Sequence, residues 1–324
     1  MKKRRSHVYK FLNRHKLIYV FIVISIYGNY SSRAFFSNYN LLSIMRMSGI
    51  TGLLVLGEAM VILTKGIDLS VGWIASLSTV IVAAVSINFN ETLSPIPLII
   101  VACFCAMGMG AFLGFINGIS VTILKVNPLI TTLASMWIAQ GLAMIILRGI
   151  PTKIEVKEFI NIGRAKVFGN IPLILIIFFI IALIIYFLLK KTRFGRFVYA
   201  VGGNEYAAYL SGINIKTIKL IVYTLSGLLA SIGGIMMAAW TRTGEVHALA
   251  GYELTAIAAV VMGGISLNGG EGNIWDAILG AFILVMLRKL LIFTGISPWL
   301  LGSFTGSIIL LSVYFIQERI KTTR

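Results

Sequence analysis

The amino-acid sequence predicts an all-α membrane protein with about ten transmembrane helices. Of its 324 residues, 58% are hydrophobic and only 12% are charged, whereas soluble domains carry about 25% charged residues. Within lipid, only helices and closed barrels satisfy every backbone N–H and C=O group. The apolar runs are too long, and alternate too little, to be barrel strands. We therefore expect one helical membrane domain that spans residues 1–324.

The individual spans are the long apolar runs, because a helix needs about 20 residues to cross the hydrocarbon core. The eighth run is short, so the count is nine if that run is a broken or re-entrant helix. The predicted spans are 17–30, 41–63, 69–87, 96–124, 129–147, 171–189, 218–240, 252–264, 274–293 and 297–316.

The basic residues predict the orientation, since cytoplasmic loops are enriched in Lys and Arg. If the first run is an uncleaved span, the basic tail 1–16, Lys125, the segment 190–219 and the tail 319–324 all lie in the cytoplasm. The loop 148–170 disagrees, because it falls outside and still holds more Lys and Arg than Glu. We expect both termini to be cytoplasmic.

The formal charge of +17 does not indicate nucleic-acid binding, because the basic residues lie in the tails and between apolar runs. Membrane topology explains that distribution. Cys103 and Cys105 point to different faces of one helix, and the three histidines are scattered. No disulfide, metal site or other cofactor is predicted.

Two stretches of the chain resemble each other. GIDLS at 66–70 parallels GYELT at 251–255, while Gly-Ala-Phe at 110–112 recurs at 280–282 and Pro128 recurs as Pro298. The matched runs are five spans apart, so the two copies would cross the membrane in opposite directions. Inverted repeats are typical of transporters, in which one half rocks against the other around a central site. The alternative is a chance similarity between glycine-rich apolar runs.

Acidic and polar residues in the apolar runs mark candidate positions on a translocation path or at a helix break. A charge at mid-bilayer costs about 2.5 to 3.5 kcal/mol on insertion scales. Asp68 and Glu253 each open a helix, so they are either caps near the membrane surface or part of the path. Glu58 is also acidic, but it lies within an apolar run. The candidates are Asp68, Ser70, Asn117, Asn127, Thr131 and Glu253.

Gly110, Gly114 and Gly118 share one helix face, which lets a neighbouring helix approach closely. We interpret this pattern as packing. Asn117 beside it either forms a hydrogen bond across helices or lines a polar path.

The loop 190–217 between the sixth and seventh runs is too polar to span the membrane. At its centre, a Gly-Gly-Asn turn precedes the short stretch 205–210, which is compatible with a helix. Gly212 ends that stretch. A short helix along the cytoplasmic face is what rigid-body coupling to a motor subunit requires. The candidate coupling residues are Gly203, Asn204, Glu205, Ala207, Ala208 and Gly212.

These segments resemble the ribose-type permeases of bacterial ABC importers, a family that serves simple sugars and, in some branches, autoinducer-2. The resemblance runs from about residue 40 to 316. It rests on VILTKGIDLSVG (61–72), NPLITTLA (127–134), FGRFVYAVGGNEYAAYLSGI (194–213), GYELTAIAAVVMGGISLNGGEG (251–272) and LRKLLIFTGIS (287–297).

The resemblance implies a permease subunit of the bacterial inner membrane that imports a simple sugar or sugar-like solute of ribose or pentose type, or autoinducer-2. It also implies a permease homodimer or heterodimer, two ABC ATPase domains on the coupling loop, and an extracytoplasmic solute-binding protein. The resemblance implies a transport subunit and not an enzyme. The chain has no G-x-x-x-x-G-K-[ST] phosphate loop, so it cannot bind ATP in the P-loop manner, and ATP hydrolysis would fall to the partner. Three outward basic residues are candidates for docking the binding protein, or are simply solvated: Arg148, Lys153 and Arg242.

The sequence departs from the family pattern at a few positions. Arg288-Lys289-Leu290 stand where the family usually carries Asn-Asn-Gly, Thr255 replaces a common acidic residue, and Trp275-Asp276 stand near usually small residues. These changes affect which solute is expected, and whether the chain pairs with a second copy of itself or with a different permease. The alternatives are a permease for nucleosides or branched-chain amino acids, an ion-coupled secondary transporter, and a structural membrane protein, which would not need an inverted repeat.

Overall fold

The structure is a computed structural model that describes residues 16–296, together with 300, 302–303 and 306–307. The tail before residue 16, nearly all of the tenth predicted span and the basic tail 319–324 lie outside the described residues. The second copy of the Pro128 motif, around Pro298, lies outside them as well.

The described chain is almost entirely helical. Its helices are α1 (Lys16–Ser31), α2 (Asn38–Leu63), α3 (Val71–Asn88), α4 (Pro95–Thr122), α5 (Pro128–Leu147), α6 (Lys157–Arg164), α7 (Leu173–Lys191), α8 (Arg193–Gly203), α9 (Glu205–Leu210), α10 (Ile215–Thr241), α11 (Tyr252–Met262) and α12 (Ile274–Phe293), with a 3-10 turn at Arg33–Phe36.

Four two-residue strands complete the described structure. β1 (Thr152–Lys153) pairs antiparallel with β4 (Thr243–Gly244), and β2 (Lys166–Val167) pairs antiparallel with β3 (Ile171–Pro172). The first pair ties the loop after α5 to the end of α10. We call the end of the bundle that carries this loop the outer end, following the predicted orientation, and the end that carries α8 and α9 the inner end.

Helix starts follow from local sequence. Proline opens α4 and α5, where its missing N–H has no partner to lose. Polar side chains at the preceding position accept backbone N–H groups of the first turn in several helices. These caps are Asn127 for α5, Thr192 for α8, Asn204 for α9, Asn214 for α10 and Asn273 for α12.

Six of the described helices, α2, α3, α4, α5, α7 and α10, are long and apolar enough to cross a membrane. α1 and α11 are apolar but shorter, and α12 has 20 residues that include Asp276, Arg288 and Lys289. The predicted all-α membrane class is confirmed. The predicted count of about ten spans is not confirmed.

α10 forms the centre of the bundle, with α4, α2 and α3 packed around it. Gly110, Gly114 and Gly118 make the α4 contact possible. A Cβ atom on Gly114 would lie 2.3 Å from the carbonyl oxygen of Tyr223 in α10, and Gly110 and Gly118 meet α10 in the same way. The packing interpretation of this motif is therefore correct.

Contacts along the helices fix the directions of α3 and α4. Gly110, Gly114 and Gly118 lie against Gly227, Tyr223 and Leu220 in turn, so α4 is antiparallel to α10. Asp68, just before α3, meets Ser226, and Ala75 meets Gly234, so α3 is parallel to α10.

The directions of α11 and α12 follow from their contacts with α2 and with each other. Gly57 and Leu54 of α2 meet Ser226 and Gly233 of α10, so α2 is antiparallel to α10. The start of α2 lies near Phe293 and its end near Gly270, so α12 is antiparallel to α2 and parallel to α10.

Gly280 of α12 packs on Ala259 of α11, and Gly263 packs on Ala277, so α11 and α12 are antiparallel to each other. The pair α3–α4 therefore runs opposite to the pair α11–α12, which is the relation that the inverted repeat predicted.

Candidate functional site

A buried polar cluster joins four elements in the inner half of the bundle. Its members are Glu58 of α2, Asp68 and Ser70 of the link before α3, Asn117 of α4 and Ser226 of α10, and each is fully buried. Three of the sequence candidates, Asp68, Ser70 and Asn117, thus come together here.

Hydrogen bonds concentrate on the Asp68 carboxylate. Oδ1 accepts the backbone N–H of Ser70 at 3.0 Å and the Ser70 hydroxyl, while Oδ2 accepts the Ser226 hydroxyl at 2.9 Å. Asn117 Nδ2 donates to Ser70 Oγ at 3.0 Å, and the Asp68 N–H donates to Glu58 Oε1 at 3.2 Å. A buried carboxylate is costly unless such donors replace water, and this cluster supplies three.

The structure shows what two of the candidate residues contact. Asn117 forms a hydrogen bond across helices. Asp68 is fully buried and accepts the N–H of Ser70, the residue that precedes α3, while the first turn of α3 has no side-chain cap.

Sequence reasoning missed two members of this region. Ser226 is an isolated serine in an apolar run and carries no local signal of its partner, which lies 158 residues away. Tyr223, one turn earlier on α10, is also buried, and its hydroxyl lies against Gly66 without a hydrogen-bond partner among the described residues. For Glu58, the sequence showed an acidic residue within an apolar run but not its partner, the backbone N–H of Asp68.

Glu253 lies apart from the cluster, at the start of α11. Both of its carboxylate oxygens accept the N–H of Gly251, at 3.2 and 3.1 Å, and the side chain packs on Gly72 of α3. Gly251 has a φ of +84°, which glycine adopts without strain. Glu253 thus accepts the N–H of the residue that precedes α11, while the first turn of α11 itself has no side-chain cap.

The segment 242–251 explains why the eighth predicted span is short. It runs along α3 toward the inner end: the N–H of Glu245 donates to Thr79 Oγ1 at 3.0 Å, and that of Leu249 donates to Ser76 Oγ at 2.9 Å. These side chains satisfy backbone groups that a helix would otherwise satisfy. The eighth span is thus a two-residue strand and a series of turns followed by an 11-residue helix, a broken helix.

The remaining two path candidates do not join the cluster. Asn127 is exposed and caps α5 by accepting the N–H of Leu129 at 2.9 Å. Thr131 is buried, but its neighbour Thr132 is the residue that donates to the Ile67 carbonyl at 3.2 Å beside the cluster.

The candidate coupling residues lie on α9 and its flanks, at the inner end. The Asn204 side chain accepts the N–H of Ala207 at 3.0 Å and so begins α9, and Glu205 forms an ion pair with Lys219 of α10 at 2.6 Å. Gly212 follows with a φ of +78°. Ala207 is exposed, whereas Ala208 is buried against the protein itself.

α8 connects α9 to the end of α2 and to the loop before α12. Gly202 packs directly on the Leu63 carbonyl at the end of α2 and on Gly270 before α12. The Tyr199 hydroxyl donates to the Gly272 carbonyl at 3.1 Å, and burial raises the pKa of this phenol. Gly203 is exposed, and its carbonyl lies 3.4 Å from Lys65 Nζ.

The three outward basic residues are exposed at the outer end. Lys153 pairs with Thr243 in the β1–β4 ribbon, and the N–H of Ile154 donates to the Arg242 carbonyl at 2.8 Å, which brings Lys153 and Arg242 together. Arg148 ends α5 nearby in sequence, in a left-handed conformation like that of Arg242.

Two departures from the family pattern share one cavity in the outer half of the bundle. The cavity has a volume of about 170 Å³. We call it the outer cavity, and its lining includes Met47, Trp240, Tyr252, Thr255, Arg288 and Lys289.

Known proteins are similar to this chain over most of its length. The family model described as "Branched-chain amino acid transport system / permease component" matches residues 40–313. The ribose import permease of Escherichia coli K12 is 37% identical over 309 residues, covering 93% of this chain and 92% of that protein. That of Bacillus subtilis 168 is 38% identical, covering 94% and 91%.

Permeases named for other sugars are similar as well. The L-arabinose transport system permease of E. coli K12 is 36% identical and covers 85% of this chain and 81% of its own length. No solved structure matches the chain. The chain therefore belongs to the family of permease components of branched-chain amino acid transport systems.

Proposed function

We propose that this chain is the membrane-spanning permease subunit of an ATP-binding-cassette importer for a simple sugar or sugar-like solute. The observation that carries the proposal is the similarity to ribose permeases, at 37–38% identity over more than nine tenths of both chains. ATP hydrolysis belongs to a partner, since this chain has no phosphate loop.

The partner ATPase docks on the exposed face of α9. Tyr206 and Tyr209 are 71% and 67% exposed, and Leu210 is exposed beside them. Aromatic side chains are enriched among the residues that dominate binding energy at protein interfaces. A cavity of about 420 Å³ adjoins this face, lined by Tyr209, Gly212, Ile213, Asn214, Ile215 and Lys216.

Movement of α9 reaches the transmembrane helices through two rigid links. Glu205 holds α9 to α10 through Lys219, and α8 packs on the end of α2 and on the loop before α12. A displacement at the inner end is thus applied to α2, to α10 and to the loop before α12. Their relative rocking opens a path inward, as in other transporters with inverted repeats.

A test of this docking replaces the exposed tyrosines. We expect the double variant Tyr206→Ala, Tyr209→Ala to retain less than a tenth of the ATPase that co-purifies with the wild type, and to lose ATP-dependent uptake in proteoliposomes to the same extent. The reason is that an anchor residue contributes about 2 kcal/mol or more to an interface. Ala208→Trp would not isolate docking, because Ala208 packs inside the protein.

Tyr39→Ala is the matched control, since Tyr39 is equally aromatic, 87% exposed and at the outer end. It should change neither capture nor uptake. Undiminished capture of the ATPase by the double variant would refute docking on α9. Uptake that proceeds without ATP, driven by a proton or sodium gradient, would refute the importer itself.

On the outer side, a solute-binding protein delivers the solute, with Arg148, Lys153 and Arg242 facing an acidic rim on its surface. The permease functions as a dimer, of two identical or two different chains. The family description favours a second candidate solute class, branched-chain amino acids. ATP-dependent uptake of radiolabelled leucine but not ribose by the reconstituted transporter would select it.

A further inference from the structure

The outer cavity combines aromatic and cationic side chains. Trp240 ends α10, Tyr252 begins α11, and Arg288 and Lys289 lie on α12, so four different helices, with Met47 of α2, contribute to its wall. Its volume, about 170 Å³, is below the roughly 300–1,000 Å³ of cavities for drug-sized ligands. It therefore suits a small solute.

The two cations of this cavity have no carboxylate partner among the described residues, where the recorded ion pair is Lys219–Glu205 at the other end of the bundle. Glu253 follows Tyr252 in sequence, but its carboxylate does not pair with Arg288 or Lys289. It accepts the N–H of Gly251 and packs on Gly72 of α3. Basic residues in a membrane span are costly unless they are paired or face a polar cavity.

Arg288 is an exposed residue of α12 that contributes to the wall of the cavity. Its guanidinium lies over the Tyr252 ring, 5.0 Å from the centroid, and Tyr252 belongs to a different helix. This stacking fixes the plane of the guanidinium, whose edge carries N–H donors. Such an edge matches a carboxylate or a phosphate with two parallel hydrogen bonds.

We propose that the outer cavity binds a sugar-like solute that carries an anionic group, a carboxylate or a phosphate, with the anion on Arg288 and Lys289 and the sugar ring against Trp240 and Tyr252. This assignment rests on the proposed function as a sugar importer and narrows its solute class. The headgroup of an anionic lipid presents the same chemistry, so the test separates the two sources.

The experiment measures binding to the full-length permease in nanodiscs of phosphatidylcholine by saturation-transfer NMR. D-glucuronate and D-glucose are the probes, because they share one ring and differ in a carboxylate. We expect glucuronate to bind at least about tenfold more tightly than glucose, a difference of about 1.4 kcal/mol. The double variant Arg288→Gln, Lys289→Gln should remove that preference.

Two further variants keep the result interpretable. Lys190→Gln is the matched control, because Lys190 also lies over a tyrosine ring, that of Tyr199 at 5.1 Å, at the inner end; it should keep the preference. Thr255→Glu places a carboxylate in the cavity wall and should weaken glucuronate binding while leaving glucose unchanged. Should the double variant fail to fold, this variant decides the question.

Equal affinities for the two probes would overturn the proposal. So would displacement of glucuronate when phosphatidylglycerol is added to the nanodiscs, since the occupant would then be a lipid headgroup. ATP-dependent uptake of neutral sugars without any anion preference would overturn this inference and leave the importer standing. Absence of ATP-dependent uptake of every sugar would overturn the importer, while the binding measurement would still decide what the cavity holds.

Discussion

Asp68 shows how a carboxylate buried in a membrane protein finds hydrogen-bond donors within the protein. It accepts three hydrogen bonds, two of them from Ser70 and one from Ser226, while its own N–H is accepted by Glu58. Because the donors come from two elements, the carboxylate also fixes the link before α3 against α10. We therefore propose that this cluster holds the first copy of the repeat in position.

Ser226→Ala tests that role. Removing this donor leaves Asp68 Oδ2 buried without a partner, which costs about 1–3 kcal/mol. We therefore expect a lower midpoint of thermal unfolding, measured in detergent by circular dichroism. Thr224→Ala is the control, because Thr224 is half-buried and donates only to Leu220 of its own helix. Equal midpoints for the two variants would contradict the proposed role of Ser226.

At the scale of elements, the close approach of α4 and α10 is what places Asn117 beside Ser70. Three glycines on one face of α4 remove the side chains that would keep the helices apart. Dispersion contacts and interhelical hydrogen bonds, rather than a hydrophobic driving force, stabilise such contacts in lipid. The contact is therefore sensitive to single methyl groups.

Gly114→Ala should destabilise the protein by about 1–3 kcal/mol, the usual cost of overpacking, because its Cβ would lie 2.3 Å from the Tyr223 carbonyl oxygen. Gly108→Ala on the same helix has no atom within 4 Å of the new Cβ. It should leave stability unchanged or raise it slightly, since alanine favours helix. The two midpoints of thermal unfolding give the comparison, and a Gly114→Ala protein as stable as Gly108→Ala would contradict the packing account.

At the scale of the whole molecule, the inner and outer ends carry different surfaces. Tyr206 is exposed on α9, which is paired to the first turns of α10 through Lys219, whereas Lys153 is exposed in the ribbon at the other end of α10. The positive-inside rule favours cytoplasmic α8 and α9. The basic loop at the outer end weighs against that orientation.

Cysteine labelling tests the orientation. In a background with Cys103→Ser and Cys105→Ser, Tyr206→Cys should react with a membrane-impermeant maleimide only in inside-out vesicles. Lys153→Cys should react only in right-side-out vesicles. The reversed pattern would place α9 outside and exclude docking of a cytoplasmic ATPase on it.

The sequence by itself determined the membrane class, the limits of most helices, the packing role of the α4 glycines and the position of α9. These properties depend on neighbours in sequence, such as the apolar run of α4 or the Asn204 cap of α9, and they can be read locally. Even the broken eighth span was visible as a run too short to cross the bilayer.

Only the tertiary structure decided which polar residues act together. Ser226 meets Asp68 across 158 residues, Thr132 rather than Thr131 contacts the GIDLS segment, and Ala208 faces inward while Tyr206 and Tyr209 face outward. The physical reason is that the partner of a buried polar group is set by how helices pack, and sequence spacing carries no record of that packing.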